Sequence, residues 1–124
     1  MVYNKLYSEF VDLFPQDMEW FKAECEEKSA DEDDGMHVLF GMVVVPFILE
    51  VAIHSPEKLK LAFDFIEKME TSEDSSIAEV AEFSILENLI GVNDEILLQC
   101  FACMGDETKK AYSDIKKWYK NWVL

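Results

Sequence analysis

Hydrophobic positions recur every three to four residues along almost the whole chain, the spacing of helices that bury one face. Tyr3, Leu6, Tyr7, Phe10, Val11 and Phe14 follow this rule and predict a first helix. Pro15 suits a first helical turn, and Met18, Phe21 and Cys25 continue a second, shorter amphipathic segment. The acidic run from Ser29 to Gly35 breaks the pattern and reads as a loop. Met36 to His54 is apolar nearly all round, as a central buried helix would be. Val43-Val44-Val45 has strand propensity, but the length of the segment favours a helix. It should kink at Pro46, whose ring clashes with the preceding turn and whose nitrogen carries no donor.

The second half is punctuated more sharply. Ser55-Pro56-Glu57 supplies an N-cap, a first-turn proline and an acid at the positive end of the helix dipole. Leu59, Ala62, Phe63, Ile66 and Met69 share one face of the helix that follows. Thr71 to Ser75 is a polar loop, and Ser76 with Glu79 reads as a capping box for the next helix. Gly91 should stop that helix, with Asn93 or Asp94 capping a helix that runs to Met104. Gly105-Asp106 repeats the stop and cap, and Ala111, Ile115, Trp118, Tyr119 and Trp122 line the last helix. The expectation is one all-α domain over residues 1–124, with about seven helices, short connections and antiparallel neighbours.

Composition changes the picture through charge. Asp and Glu number 26 against 11 lysines and no arginine, for a formal charge of −15, while half of the 124 residues are hydrophobic. So much apolar mass, with nine Phe, four Tyr and three Trp, supports a folded core. The surface around it must be anionic, which repels nucleic acid and anionic membrane and attracts cationic partners. The charge is also uneven. Residues 1–105 hold 23 acids and six lysines, a net of −17, whereas residues 106–124 carry a net of +2. The apolar stretch Val38 to Leu49 is too short to span a bilayer. Met1 opens onto an amphipathic segment with early charges, and the cysteine count is odd. A reduced, cytoplasmic protein is expected.

Candidate chemistry is thin. Cys100-Phe-Ala-Cys103 lies inside a predicted helix with no strand before it, unlike a redox pair at a helix N-terminus. Zinc would need two further ligands, and Cys25, His37 and His54 lack a recognisable spacing. Buried structural cysteines fit better. Glu50 and His54 form a single helical pair, not the repeated Glu-x-x-His set of a di-iron bundle. Aligning Gly35 to the sixth position of a calcium loop puts Ala30 first and Gly41 twelfth, so the bidentate Glu is missing. No Ser-His-Asp order or Gly-rich phosphate cradle is present. The sequence therefore predicts no catalysis, no cofactor and no metal.

Three segments carry a resemblance: Phe63-Asp-Phe-Ile-Glu-Lys-Met69, Val80-Ala-Glu-Phe-Ser-Ile-Leu-Glu-Asn-Leu89, and Met104-Gly-Asp-Glu-Thr108. Over roughly residues 36–120 the chain resembles the small acidic all-helical immunity proteins of bacterial contact-dependent growth inhibition and polymorphic-toxin systems. The resemblance implies a cytoplasmic protein that binds a cognate toxin domain and blocks it, with no catalytic set to carry over. A nuclease toxin would be basic because it grips phosphates, so carboxylates could lie where nucleic acid would. The residues expected to meet the partner are Glu24, Glu26, Glu27, Asp31, Glu32, Asp33 and Asp34, with Glu73, Asp74, Glu79 and Glu82 as a second patch. Trp20 is a candidate anchor, because Trp20 and Phe21 are adjacent and cannot both point into one core. The alternatives are a helical adaptor for another basic protein, or a metal-dependent enzyme using scattered carboxylates with Cys100 and Cys103.

Overall fold

The computed structural model describes residues 1–123, with side chains through Lys120; Trp122, expected on the face of the last helix, lies outside the described side chains. Among the described residues there are seven helices and no strand, in one all-α domain. They are α1 (Leu6–Asp12), α2 (Met18–Lys28), α3 (Met36–His54), α4 (Pro56–Glu70), α5 (75–89), α6 (Asp94–Cys103) and α7 (Asp106–Val123). Short 3-10 turns precede α1, α2 and α3.

The core is organised around α3, which packs on α1, α2, α4, α5 and α6. Leu39, Phe40, Val43, Val44, Phe47, Ile48 and Val51 of this helix are all buried. As one piece, α3 is long and apolar enough to cross a membrane by length and composition. Half of that stretch is buried within the domain, while Met42 and Ile53 are exposed. Phe10 sits at the aromatic centre of the core, with ring centroids of Phe14, Phe21, Phe40, Phe47 and Phe65 within 6.4 Å. Most of these contacts are edge-on, the arrangement that ring quadrupoles favour.

Pro46 acts on α3 through the turn before it. Residues Phe40–Val44 form a π segment, in which the Val45 amide donates to the Phe40 carbonyl five residues back. The Met42 carbonyl would ordinarily receive the amide of residue 46, which proline lacks. Lys28 of α2 supplies the donor instead, its Nζ lying 2.8 Å from Met42 O. A second π segment, Val80–Leu86, lies within α5, and the two pack against each other.

Capping follows the sequence at some ends and departs from it at others. The Ser55 hydroxyl accepts the Lys58 amide at 3.4 Å, and Asn93 accepts the amides of Glu95 and Ile96. The Ser76–Glu79 box does not form. The helix starts two residues earlier, with Asp74 as its cap, and Asp74 takes both the amide and the hydroxyl of Ser76, at 3.0 and 2.5 Å. Asp106 does not cap α7 either. Glu67 of α4 reaches across and accepts the Glu107 amide at 3.2 Å, the Thr108 amide at 2.9 Å and the Thr108 hydroxyl at 2.7 Å. Gly105 makes room for it, since a Cβ there would fall on the Glu67 carboxylate.

Candidate functional site

The acidic run after α2 is a built turn. Asp31 Oδ1 accepts the Asp33 amide and Asp34 Oδ2 accepts the Asp31 amide, both at 2.9 Å, closing a reciprocal cap on Glu32–Asp34. On one side, Ser29 ends α2 in the left-handed region at φ 52°. On the other, Gly35 at φ 92° leads into α3. Asp31, Glu32, Asp33 and Asp34 are all exposed, as are Glu26 and Glu27 at the end of α2.

This turn borders an open groove of about 630 Å³ between α1 and α2. Its floor is mostly apolar, from Tyr7, Val11, Met18, Phe21 and Cys25, while Glu26, Asp31 and Lys22 stand at its edge. Tyr7 Oη lies 3.3 Å from Cys25 Sγ. Burial pushes the Tyr7 hydroxyl above its ordinary range, and the Cys25 contact and the Glu32 charge add to the effect. The floor is therefore neutral and the rim predominantly anionic, a form suited to an amphipathic segment with basic flanks.

Two residues assigned to this patch have structural partners. Glu24 is half-buried and pairs with Lys28 at 2.7 Å, the same ammonium that serves the Met42 carbonyl. Trp20 is also half-buried, its ring 5.3 Å from Phe47 and 5.4 Å from Phe21. It closes the edge of the core and does not line the groove.

The second patch divides. Glu73 and Asp74 are exposed beside a shallow depression shared with Met1, Lys68 and Ser72, apart from the α1–α2 groove. The Ser76 hydroxyl and amide hold the Asp74 carboxyl below its ordinary range. Glu79 is exposed, whereas Glu82 is half-buried and turns toward Glu70 on α4.

Glu70 was not among the residues the sequence singled out. Burial raises its carboxyl to about 8, with the charges of Glu82 and Glu67 and the Glu82 hydrogen bond acting in the same direction. Glu70 Oε1 is buried and receives no protein donor. Burial raises Glu82 too; its bond to Glu70 opposes that effect, and the Glu79 charge adds to it. Both carboxyls line a cavity of about 210 Å³ with Glu107, Lys110 and Asp114 of α7.

Of the remaining reactive groups, Cys100 is buried, Cys103 is half-buried and His37 is exposed. Burial lifts the Cys100 thiol to about 12 and raises Cys103 as well, so neither is a ready thiolate. His37 Nδ1 lies 2.6 Å from Ser84 Oγ, a contact joining α3 to α5 beside the two π segments. Ser84 is only 6% exposed and lines none of the cavities described above. Among the described residues, no three His, Cys, Asp or Glu side chains converge as a metal site would require.

These features define an acidic helical domain with a structured carboxylate turn beside an apolar groove. The chain belongs to a family of domains of unknown function, DUF7674, whose family model matches residues 7–120. The match takes in α1 and α2 as well as the region from residue 36 onward, so the first helices are part of the family pattern. Neither the curated proteins nor the solved structures include a match to the chain.

Proposed function

We propose that this protein is a non-catalytic binding module of the immunity type, which acts in the cytoplasm by covering the basic surface of a cognate toxin domain. The observation that carries the reading is the capped turn Asp31–Asp34 beside the groove between α1 and α2. Its internal hydrogen bonds fix the turn backbone and the Asp31 and Asp34 carboxylates, so less ordering entropy is lost when a partner docks. Rim carboxylates steer a cationic partner and set its association rate, while the apolar floor supplies contact area that holds it. A basic nuclease is the partner class that suits this chemistry, because a surface made to grip phosphate also attracts carboxylate.

The test is to examine the neighbouring genes for a toxin-like C-terminal domain and to measure its binding to the purified chain; no such domain, or no binding, would overturn the reading. Glu32→Lys with Asp33→Lys is the informative pair, because neither side chain is a partner in the Asp31–Asp34 cap. Association should slow about tenfold at low salt and lose much of its salt dependence, with folding stability changed by less than about 0.5 kcal/mol. Unchanged kinetics would remove the turn from the interface. Recovery of a basic housekeeping protein, with no toxin binding, would identify an adaptor instead.

A further inference from the structure

We propose that Glu70 and Glu82 share one proton, and that this proton latches α7 onto α4 and α5. The inference concerns the fold's own mechanics and does not depend on the identity of any partner.

The geometry sets up the latch. Glu70 ends α4 and Glu82 lies on α5, with their carboxyls within hydrogen-bonding reach in the cavity beneath α7. Glu70 Oε1 is buried without a protein donor. A bare carboxylate oxygen in that position would be costly, whereas a protonated Glu70 can donate to Glu82. Two carboxyls in one site cannot both ionise cheaply, so one of them keeps its proton.

The surrounding charges decide what happens when that proton leaves. From α4 there is Glu67, which is held by the first turn of α7. From α5 there is Glu79 beside Glu82. From α7 there are Glu107, Asp114 and one cation, Lys110. Deprotonation places a second carboxylate against Glu82 while α7 presents two acids and a single lysine. The added repulsion acts directly across the seam that α7 must close. Thr108 is buried at the start of α7 and Ala111 and Ile115 are half-buried, while Tyr112 is buried beside Phe101 and Cys100 of α6, so the apolar grip on α4 and α5 is modest.

The direction with pH follows from linkage. Glu70 binds its proton more tightly when α7 is docked, so its own contribution to docking is fullest below the ordinary carboxyl range. It weakens as pH rises from the ordinary carboxyl range toward 8 and levels off above that. Hydrogen exchange measured by mass spectrometry on the full chain tests this, comparing wild type with Glu70→Gln at pH 6 and pH 8. Comparison at one pH cancels the intrinsic exchange chemistry, and the amide introduced at position 70 mimics the neutral, donating acid. The wild-type to variant ratio of exchange rates across residues 106–120 should rise by at least about tenfold between the two pH values, within the ceiling of about a hundredfold that two pH units allow. Glu82→Gln should flatten the same dependence, because an amide there can donate to an ionised Glu70. A constant ratio, or lost protection spread evenly over α1 to α6, would overturn the latch.

Discussion

The ammonium of Lys28 stands 2.8 Å from the carbonyl oxygen of Met42, the carbonyl that Pro46 leaves without its ordinary helical donor. One side chain from α2 thus repairs the backbone defect in α3, and Glu24 holds that side chain at 2.7 Å. Lys28→Met should cost about 1–2 kcal/mol by urea unfolding, the scale of a charge-assisted hydrogen bond. In a Pro46→Ala background, where an amide becomes available, the same substitution should cost less. A double-mutant cycle measures the difference, and zero coupling would show that Lys28 is not replacing the missing donor.

Glu67 makes a second prediction, at the acid end of the pH scale. Burial pushes its carboxyl up, but the hydroxyl and amide of Thr108 and the amide of Glu107 outweigh that and hold it below its ordinary value. Its stabilising effect is therefore present at neutral pH and is lost as pH falls through the folded value. Glu67→Ala should lower stability by about 1–2 kcal/mol at pH 7, in the range of a lost cap. The difference from wild type should shrink in urea titrations near pH 3. Gly105→Ala should imitate the loss at neutral pH by crowding the same carboxylate.

Glu70 should behave in the opposite sense. Its folded value is raised, so its contribution is fullest below the ordinary carboxyl range and is lost as pH climbs toward 8. Thermal melts should therefore show wild type losing stability relative to Glu70→Gln between pH 5 and pH 8. A constant difference in melting temperature over that range would contradict the shared proton.

Phe10 tests the core. It touches five phenylalanine rings contributed by α2, α3, α4 and the link after α1. Phe10→Ala should cost about 3–5 kcal/mol, measured by chemical denaturation. Leu98 is 69% exposed, so Leu98→Ala should change stability by less than about 0.5 kcal/mol.

What the sequence disclosed was local. The 3.6-residue period of Leu59, Ala62, Phe63 and Ile66 located α4, and Ser55-Pro56 and Asn93 marked two helix starts because such caps act within a few residues. Pro46 announced a disturbance in α3, although the π turn that accommodates it depends on packing. Ser76 and Glu79 matched a capping pattern, but Asp74 was equally near and its carboxylate could bind two groups of Ser76. The acidic run Asp31–Asp34 was visible as a loop, while its reciprocal cap required the folded turn. Glu24 belongs to the acidic cluster expected to meet a partner and Trp20 is its candidate anchor, and in the fold Lys28 and Phe47 engage them. Glu70 and Glu82 lie on different helices, and no short-range pattern could have paired them.

The reach of Glu67 to Thr108 also ties two distant stretches of chain together. The cap of α7 belongs to α4 and lies 41 positions earlier in the chain. The opening amides of α7 are satisfied only while α4 lies alongside, so the end of one helix and the start of the other should open as a unit in native-state exchange. The lysine-rich last helix is thus fastened to the acidic body by a carboxylate that the body itself supplies.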